Sequence, residues 1–200
     1  ERLKRRYRRQ ILEDGELFDE LTDTIKRQVG DLRTMVDEFS SFARLPKPVF
    51  RPEDALDLTR QSLFLQEVGH SDIDYRLSGD IEGPIRIQCD RHQFGQALTN
   101  VLKNAAEAVP AAGGEIVLSS AFRHGVRLAP SGGKHRVHLP LGIDIQDNGP
   151  GIPESLTPQL FEPFVTNRAK STGLGLALVS KLVSDHGGII EFDSEPGRTV

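Results

Sequence analysis

Cysteine is nearly absent: Cys89 is the one thiol in 200 residues. That excludes an internal disulfide and any multi-cysteine zinc or iron–sulfur centre. No segment approaches 18 uninterrupted apolar residues, so none reads as a membrane-spanning helix. Neither sign of charge dominates. The 25 Lys and Arg against 29 Asp and Glu leave a net charge of −4, which argues against non-specific nucleic-acid binding. Internal repeats and low-complexity tracts are also missing. What is there, 37% hydrophobic and 27% charged residues, describes a globular chain rather than a disordered one. Its length suits one compact domain plus an appendage, and a core of that size buries roughly 70% of the unfolded surface. The sequence begins at Glu1 and stops at Val200 inside an apparent strand. It reads as a piece of something longer, from which a targeting signal or membrane anchor could have been cut.

The first ten residues carry six basic side chains, either the solvated end of a helix or a docking patch for an acidic partner. From Phe18 the apolar positions Leu21, Ile25, Val29, Leu32, Val36, Phe39 and Phe42 follow at steps of three and four. This is one stripe of a helix about 40 Å long, whose apolar side must meet other helices. Leu45-Pro46-Lys47-Pro48 ends it, because the residue before a proline avoids the helical region. We therefore expect a boundary here, with residues 1–48 on one side and 49–200 on the other.

Beyond the boundary the pattern is mixed. Pro52–Val68 reads as a helix. Ile73–Leu77 and Ile85–Ile87 read as strands joined by a turn at Asp80–Pro84. Asp90–Val109 is a helix with Asp90 as its N-cap. Glu115–Phe122 and Val137–Ile145 read as strands, Leu174–His186 as a helix stopped at Gly187-Gly188, and Ile189–Phe192 as a last strand. The irregular alternation predicts a two-layer α/β sandwich, an α+β rather than a repeated βαβ fold.

Several short patterns could carry chemistry. In Asp147-Asn148-Gly149-Pro150-Gly151, a carboxylate at a strand end sits beside glycines that admit a ligand to the backbone. It could accept a hydrogen bond from an exocyclic amine, although a simple turn uses the same residues. Thr172-Gly173-Leu174-Gly175 opens a helix, where bare N–H groups favour an anion such as phosphate; a plain loop is the alternative. Asn100, Asn104 and Glu107 share one helical face. Amide oxygens are hard ligands suited to Mg²⁺, but a solvated polar face has the same composition. Phe161 and Phe164 look like the hinge of a lid tipped by Arg168 and Lys170, cations fit for phosphate. Ser131-Gly132-Gly133-Lys134 lacks the rest of a Walker pattern. His124, His135 and His138 have no regular metal-ligand spacing.

The order of these elements over Asp90–His186 resembles the N, G1, F and G2 boxes of sensor histidine kinases. These are members of the ATPase superfamily that includes Hsp90-type chaperones and MutL-type repair proteins. The resemblance covers about residues 50–200. Residues 25–48 resemble the second dimerisation helix of the same kinases, in wording close to the NtrY-type nitrogen-regulation sensors. The resemblance implies a mixed sheet with helices on one face, binding ATP beneath a mobile lid. It implies that Asn104 ligates Mg²⁺, with Asn100 beside the phosphates. Asp147 would accept the adenine amino group, and Gly149 and Gly151 would let the base approach. Arg168 and Lys170 would lie near the phosphates. Thr172, Gly173, Leu174 and Gly175 would line them with backbone amides, and Thr199 would lie near the adenine. It further implies a histidine kinase acting by phosphoryl transfer, a homodimer through its helices, and an NtrX-like response regulator receiver domain as partner. The parent would be anchored in a bacterial inner membrane, with this part cytoplasmic. One departure stands out. The phosphoacceptor is usually a histidine followed by an acidic residue, and none of the six histidines here is followed by one. The acceptor is therefore expected upstream of Glu1, and no self-phosphorylation in isolation. A non-catalytic relay module, or a chaperone- or repair-type ATPase, is the competing reading.

Overall fold

A computed structural model describes residues 2–7, 14–79, 83–122, 127–128, 137–138, 141–168, 171–195 and 198–199. It divides into two compact units: residues 1–45 with 168–172, and residues 46–167 with 173–200.

The first unit holds α1 (Arg2–Tyr7) and α2 (Gly15–Ala43). α2 runs 29 residues without a proline, then stops at Arg44, whose N–H donates to the Ser40 carbonyl. Lys4 of α1 reaches Asp23 at 2.9 Å and Asp19 at 3.3 Å, one turn apart on α2. Of the predicted stripe on α2, Leu21, Ile25, Val29, Leu32, Val36 and Phe39 are exposed, while Phe18 and Phe42 at its two ends are half-buried. Among the described residues no helix is long and apolar enough to cross a membrane.

The second unit is a two-layer α/β sandwich. In chain order it contains β1 (Arg51–Asp54), α3 (Ala55–Gly69), β2 (Asp74–Ser78), β3 (Arg86–Cys89), α4 (Arg91–Ala108) and β4 (Glu115–Phe122). There follow β5 (Arg127–Leu128), β6 (Val137–His138), β7 (Leu141–Asp147), α5 (Gly175–Asp185), β8 (Ser194–Glu195) and β9 (Arg198–Thr199). The main sheet has the order β2-β4-β7-β9-β8. β2 runs parallel to β4 and the other neighbours are antiparallel. β1 pairs with β3, and β5 with β6, as separate ribbons.

Period-two alternation decides which face of the sheet is covered. In β4, Ile116, Leu118 and Ser120 are buried, while the residues between them are half-buried. Ile116 and Leu118 meet Leu63 of α3 and Leu102 and Ala105 of α4, with Ile143, Ile145 and Tyr75 closing the cluster. Leu102 is fully buried, which stabilises the fold by about 1.5–3 kcal/mol for such a side chain. A second cluster joins Ala55, Leu56 and Ile85. α4 packs against α3, α5 and β7 and so forms the centre of the helical layer.

Several expectations need correction. The helix predicted from Pro52 begins only at Ala55. Residues 51–54 pair with β3 instead, and Asp54 caps the helix by accepting from Leu56 N–H at 3.1 Å. The strands around Ile73 and Ile85 belong to different sheets, because β2 finds its partner in β4; part of the predicted turn, residues 80–82, lies outside the described residues. The strand expected over Val137–Ile145 is two, β6 and β7, with different partners. Ile189–Phe192 has no strand pairing. Phe192 meets Phe161 edge-on at 5.9 Å, and the pairing starts later, at Ser194.

Asp90 does more than cap α4. Its Oδ1 accepts from His92 and Gln93 N–H, and its Oδ2 accepts from Val49 N–H at 2.9 Å. Gln93 donates to the Pro46 carbonyl at 2.8 Å. His186, expected only to end α5, accepts from Asp90 N–H through Nε2 at 3.1 Å and meets Phe50 edge-on. Its Nδ1 lies 2.8 Å from the Leu182 carbonyl, so the neutral ring carries its proton there. The segment 46–50 is thereby fastened to the ends of α4 and α5.

Candidate functional site

α4 brings both glycine motifs of the second unit against itself. Asn100 and Asn104 lie one turn apart on its surface, half-buried. Gly175 starts α5 directly opposite: a Cβ built there would lie 3.3 Å from Asn100 Oδ1 and 3.7 Å from Asn104 Nδ2. Asn100 is held in turn, because its Nδ2 donates to the Gln96 carbonyl at 2.8 Å. A first helical turn presents N–H groups without intrahelical partners, so the amide face of α4 and the start of α5 converge on one place. Leu174 has its side chain buried in the core, which leaves only its backbone to face a ligand. Glu107 is exposed on the same helix.

Gly173 is shaped by a different neighbour. Its φ is +69°, and a Cβ would lie 2.7 Å from the Phe164 carbonyl carbon and 2.8 Å from Val165 N. Phe164 N–H donates to the Gly173 carbonyl at 3.0 Å. Phe164 itself has φ +68°, an unfavourable conformation for a bulky residue. The aromatic segment and the glycine turn therefore hold each other.

The carboxylate lies by the C-terminal end of α4. Asp147 ends β7 and is buried, 8% exposed. Its Oδ1 accepts from Gly149 N–H at 2.8 Å. Gly149 has no room for a side chain, since a Cβ would meet Asp147 Oδ1 at 2.7 Å and the Ala108 carbonyl at 3.1 Å. Gly151 has φ +81° and lies against the Glu195 carbonyl. Thr199 stands opposite Asp147 in the β7–β9 pairing. Asn100 and Ala108 are eight residues apart on α4, about 12 Å along its axis. The two motifs thus face two ends of one helical wall.

Thr172 and Arg168 belong to the first unit. There the Thr172 hydroxyl donates to the Glu38 carboxylate of α2, and Ser171 N–H donates to the Arg168 carbonyl at 3.2 Å. Lys170 lies outside the described residues, as do His124 and His135; of His138 only the backbone is described. Among the described residues no group of three or more His, Cys, Asp or Glu is placed to hold a metal ion.

Two titrating groups immediately precede α4. Burial, then the charges of Glu53 and Asp90, push the Cys89 thiol up to about 11. It stays protonated at neutral pH and is no nucleophile. Asp90 is held below its ordinary value, first by the Val49 N–H and then by those of Gln93 and His92.

Residues 89–200 match the family described as histidine kinase-, DNA gyrase B-, and HSP90-like ATPase. The chain belongs to this ATPase family. The chain is 46% identical to the nitrogen regulation protein NtrY of Azorhizobium caulinodans over 196 residues, 98% of this chain and 24% of that protein. It is 38% identical to the sensory histidine kinase/phosphatase NtrB of Rhizobium leguminosarum bv. phaseoli, over 95% of this chain and 50% of the relative. The chain thus spans between about a quarter and a half of these curated relatives. Among solved structures it is similar to full-length ShkA in complex with AMPPNP, at 27% identity and TM-score 0.69, over 88% of this chain and 36% of that one. It is likewise similar to histidine kinase ThkA in complex with the response regulator protein TrrA, at 25% identity and TM-score 0.67, over 94% and 51%.

Two residues escaped the sequence reading. Asn148 stands in the sequence only as the middle residue of Asp-x-Gly, and Ser194 lies beyond the strand expected over Ile189–Phe192. Nothing in their spacing signals that both hold the loop beside Asp147.

Proposed function

We propose that this chain is the ATP-binding catalytic part of a two-component sensor histidine kinase. The observation that carries the reading is the double apposition on α4: the Asn100 and Asn104 amides against Gly175, and Ala108 against Gly149 beside the buried Asp147. A ligand lying along that wall meets a carboxylate at one end, suited to the 6-amino group of adenine. At the other it meets amides and a helix start, suited to phosphates. Gly151 admits the base, and the backbone of Gly173, Leu174 and Gly175 turns N–H groups toward the phosphates. Arg168, Lys170 and Thr172 are further candidates for the phosphates, and Thr199 for the base.

The donor chemistry fits Mg²⁺, which takes few protein ligands and completes its shell with water and phosphate oxygens. The Asn104 amide oxygen is the ligand from this chain. The ion, when bound, neutralises charge on the transferring phosphoryl group. The protein's own part is positioning: α4 and the glycine turns fix the nucleotide, and the acceptor must be brought in line.

The acceptor is a histidine outside these residues, since none of the six lies within residues 1–48. The open stripe of α2 supports a homodimer through the helices, so that residues 1–48 form part of a dimerisation unit and 49–200 the catalytic domain. The partner that takes the phosphoryl group is an NtrX-like receiver domain, and the parent is anchored in the inner membrane.

The test is incubation with γ-labelled ATP. The chain alone is expected to remain unlabelled on histidine. A separate helical fragment carrying the upstream histidine becomes labelled when the two assemble. Acid-labile label on one of this chain's own histidines contradicts the placement of the acceptor outside these residues, and no label in either arrangement while ATP binds contradicts the kinase reading.

A further inference from the structure

Asn148 forms a bracket at the end of the sheet. Its N–H donates to the Glu115 carbonyl at 3.2 Å, continuing the β4–β7 ladder one step past Asp147. Its side-chain oxygen then takes the part that its own carbonyl would play in a hydrogen-bonded antiparallel pair. Oδ1 accepts from Glu115 N–H at 2.9 Å, and Nδ2 donates to the Gly113 carbonyl at 2.8 Å. Two of the three bonds are to Glu115 at the start of β4 and the third is to Gly113 in the loop between α4 and β4. That loop is itself tied to β2, where Asp74 N–H donates to the Gly114 carbonyl at 2.8 Å.

The side chain therefore completes the ladder while the main chain leaves it. Gly149 is free to turn back over the end of α4, where it contacts Ala108 and gives its N–H to Asp147 Oδ1. The far end of the loop is anchored separately. Ile152 N–H donates to Ser194 Oγ at 2.8 Å, and Ser194 pairs with Thr199, the residue opposite Asp147.

We propose that Asn148 is a positioning residue for base selection, setting the Asp147 carboxylate against the 6-amino group of adenine by bracing the Gly113–Glu115 loop to the end of β7. Ser194 braces the far end of the 148–152 loop through Ile152. This inference rests on the nucleotide-binding reading above. It adds that selectivity for the amino group depends on a residue that need not touch the nucleotide. Removing the bracket loosens the carboxylate without deleting it.

The experiment compares ATP with inosine triphosphate, which carries an oxygen in place of the 6-amino group, by calorimetric titration of the full chain with Mg²⁺. Wild type prefers ATP. Asn148→Ala is expected to lower that preference about fivefold to tenfold, the loss of one or two well-placed hydrogen bonds, by weakening ATP and sparing inosine triphosphate. In the Asp147→Asn background the same substitution should change ATP affinity by less than about twofold, because the two act through one contact. Thermal unfolding reports whether the alanine variant folds. If it does not, Asn148→Asp carries the test: it keeps an acceptor for Glu115 N–H and loses the donor to Gly113. A variant that weakens both nucleotides equally, or neither, overturns the proposal while ATP binding by wild type stands. A wild type that binds no ATP overturns the nucleotide reading itself, and this inference with it.

Discussion

Gly175 faces Asn100 so closely that a Cβ on the glycine would stand 3.3 Å from Asn100 Oδ1. The amide cannot swing aside without surrendering its bond to the Gln96 carbonyl. Gly175→Ala should therefore disturb the amide face and weaken ATP by about threefold to tenfold, the cost of one perturbed hydrogen bond. It should not lower the unfolding temperature, because alanine is favoured over glycine within a helix by about 0.5–1 kcal/mol. Calorimetry and thermal unfolding on the same sample check both halves.

Gly173 should behave differently. Its φ of +69° and the 2.7 Å approach to the Phe164 backbone leave alanine no relaxed position. Gly173→Ala is expected to cost about 1–3 kcal/mol of stability along with ATP affinity. An unfolding temperature equal to wild type would contradict this account of the turn.

Asp147→Asn tests the base end. The carboxylate only accepts, whereas an amide can present a donor to the adenine amine. The loss of a hydrogen bond to a charged group costs about 1.5–3 kcal/mol of ADP binding. Circular dichroism should show the fold intact, since an asparagine oxygen can still accept from Gly149 N–H.

Asp90 gives a pH dependence with a defined sign. Its carboxyl is held below the ordinary 3.8 in the folded chain. Its contribution is therefore complete above that value and is lost as the pH falls through the lower, folded one. Asp90→Asn keeps a cap acceptor but cannot titrate. Its stability, measured by denaturant at a series of pH values, should fall less steeply than that of wild type below about pH 4.

The exposed stripe of α2 predicts association. Ile25→Asp with Leu32→Asp places charges where both residues are more than half exposed in the single chain, so the helix itself should tolerate them. Light scattering should show a dimer for wild type at high concentration and a monomer for the double variant. A wild type that stays monomeric counts against the paired helices.

Much of this was legible in the sequence because local rules decide it. The stripe from Phe18 to Phe42 and the proline stop gave α2. Asp90 before an apolar period gave α4, and the alternation in residues 115–122 gave β4. The failures are long-range. Residues 51–54 form a strand because β3, more than 30 positions away, pairs with them. Ile189–Phe192 has strand-like composition, yet Phe192 is committed to Phe161. The candidate site divides in the same way. Glycine spacing marks Gly149 and Gly175, but that both face α4 is a property of packing. Asn148, Ser194 and His186 act on partners 33, 42 and 96 positions away, which no local pattern records.

The central claim is that the wall formed by α4 holds an adenine nucleotide. Titration of the chain with ATP in the presence of Mg²⁺, followed by calorimetry, tests it most directly. The account predicts saturable binding of one nucleotide per chain, accompanied by a rise in unfolding temperature. No heat and no thermal shift at millimolar nucleotide would contradict it.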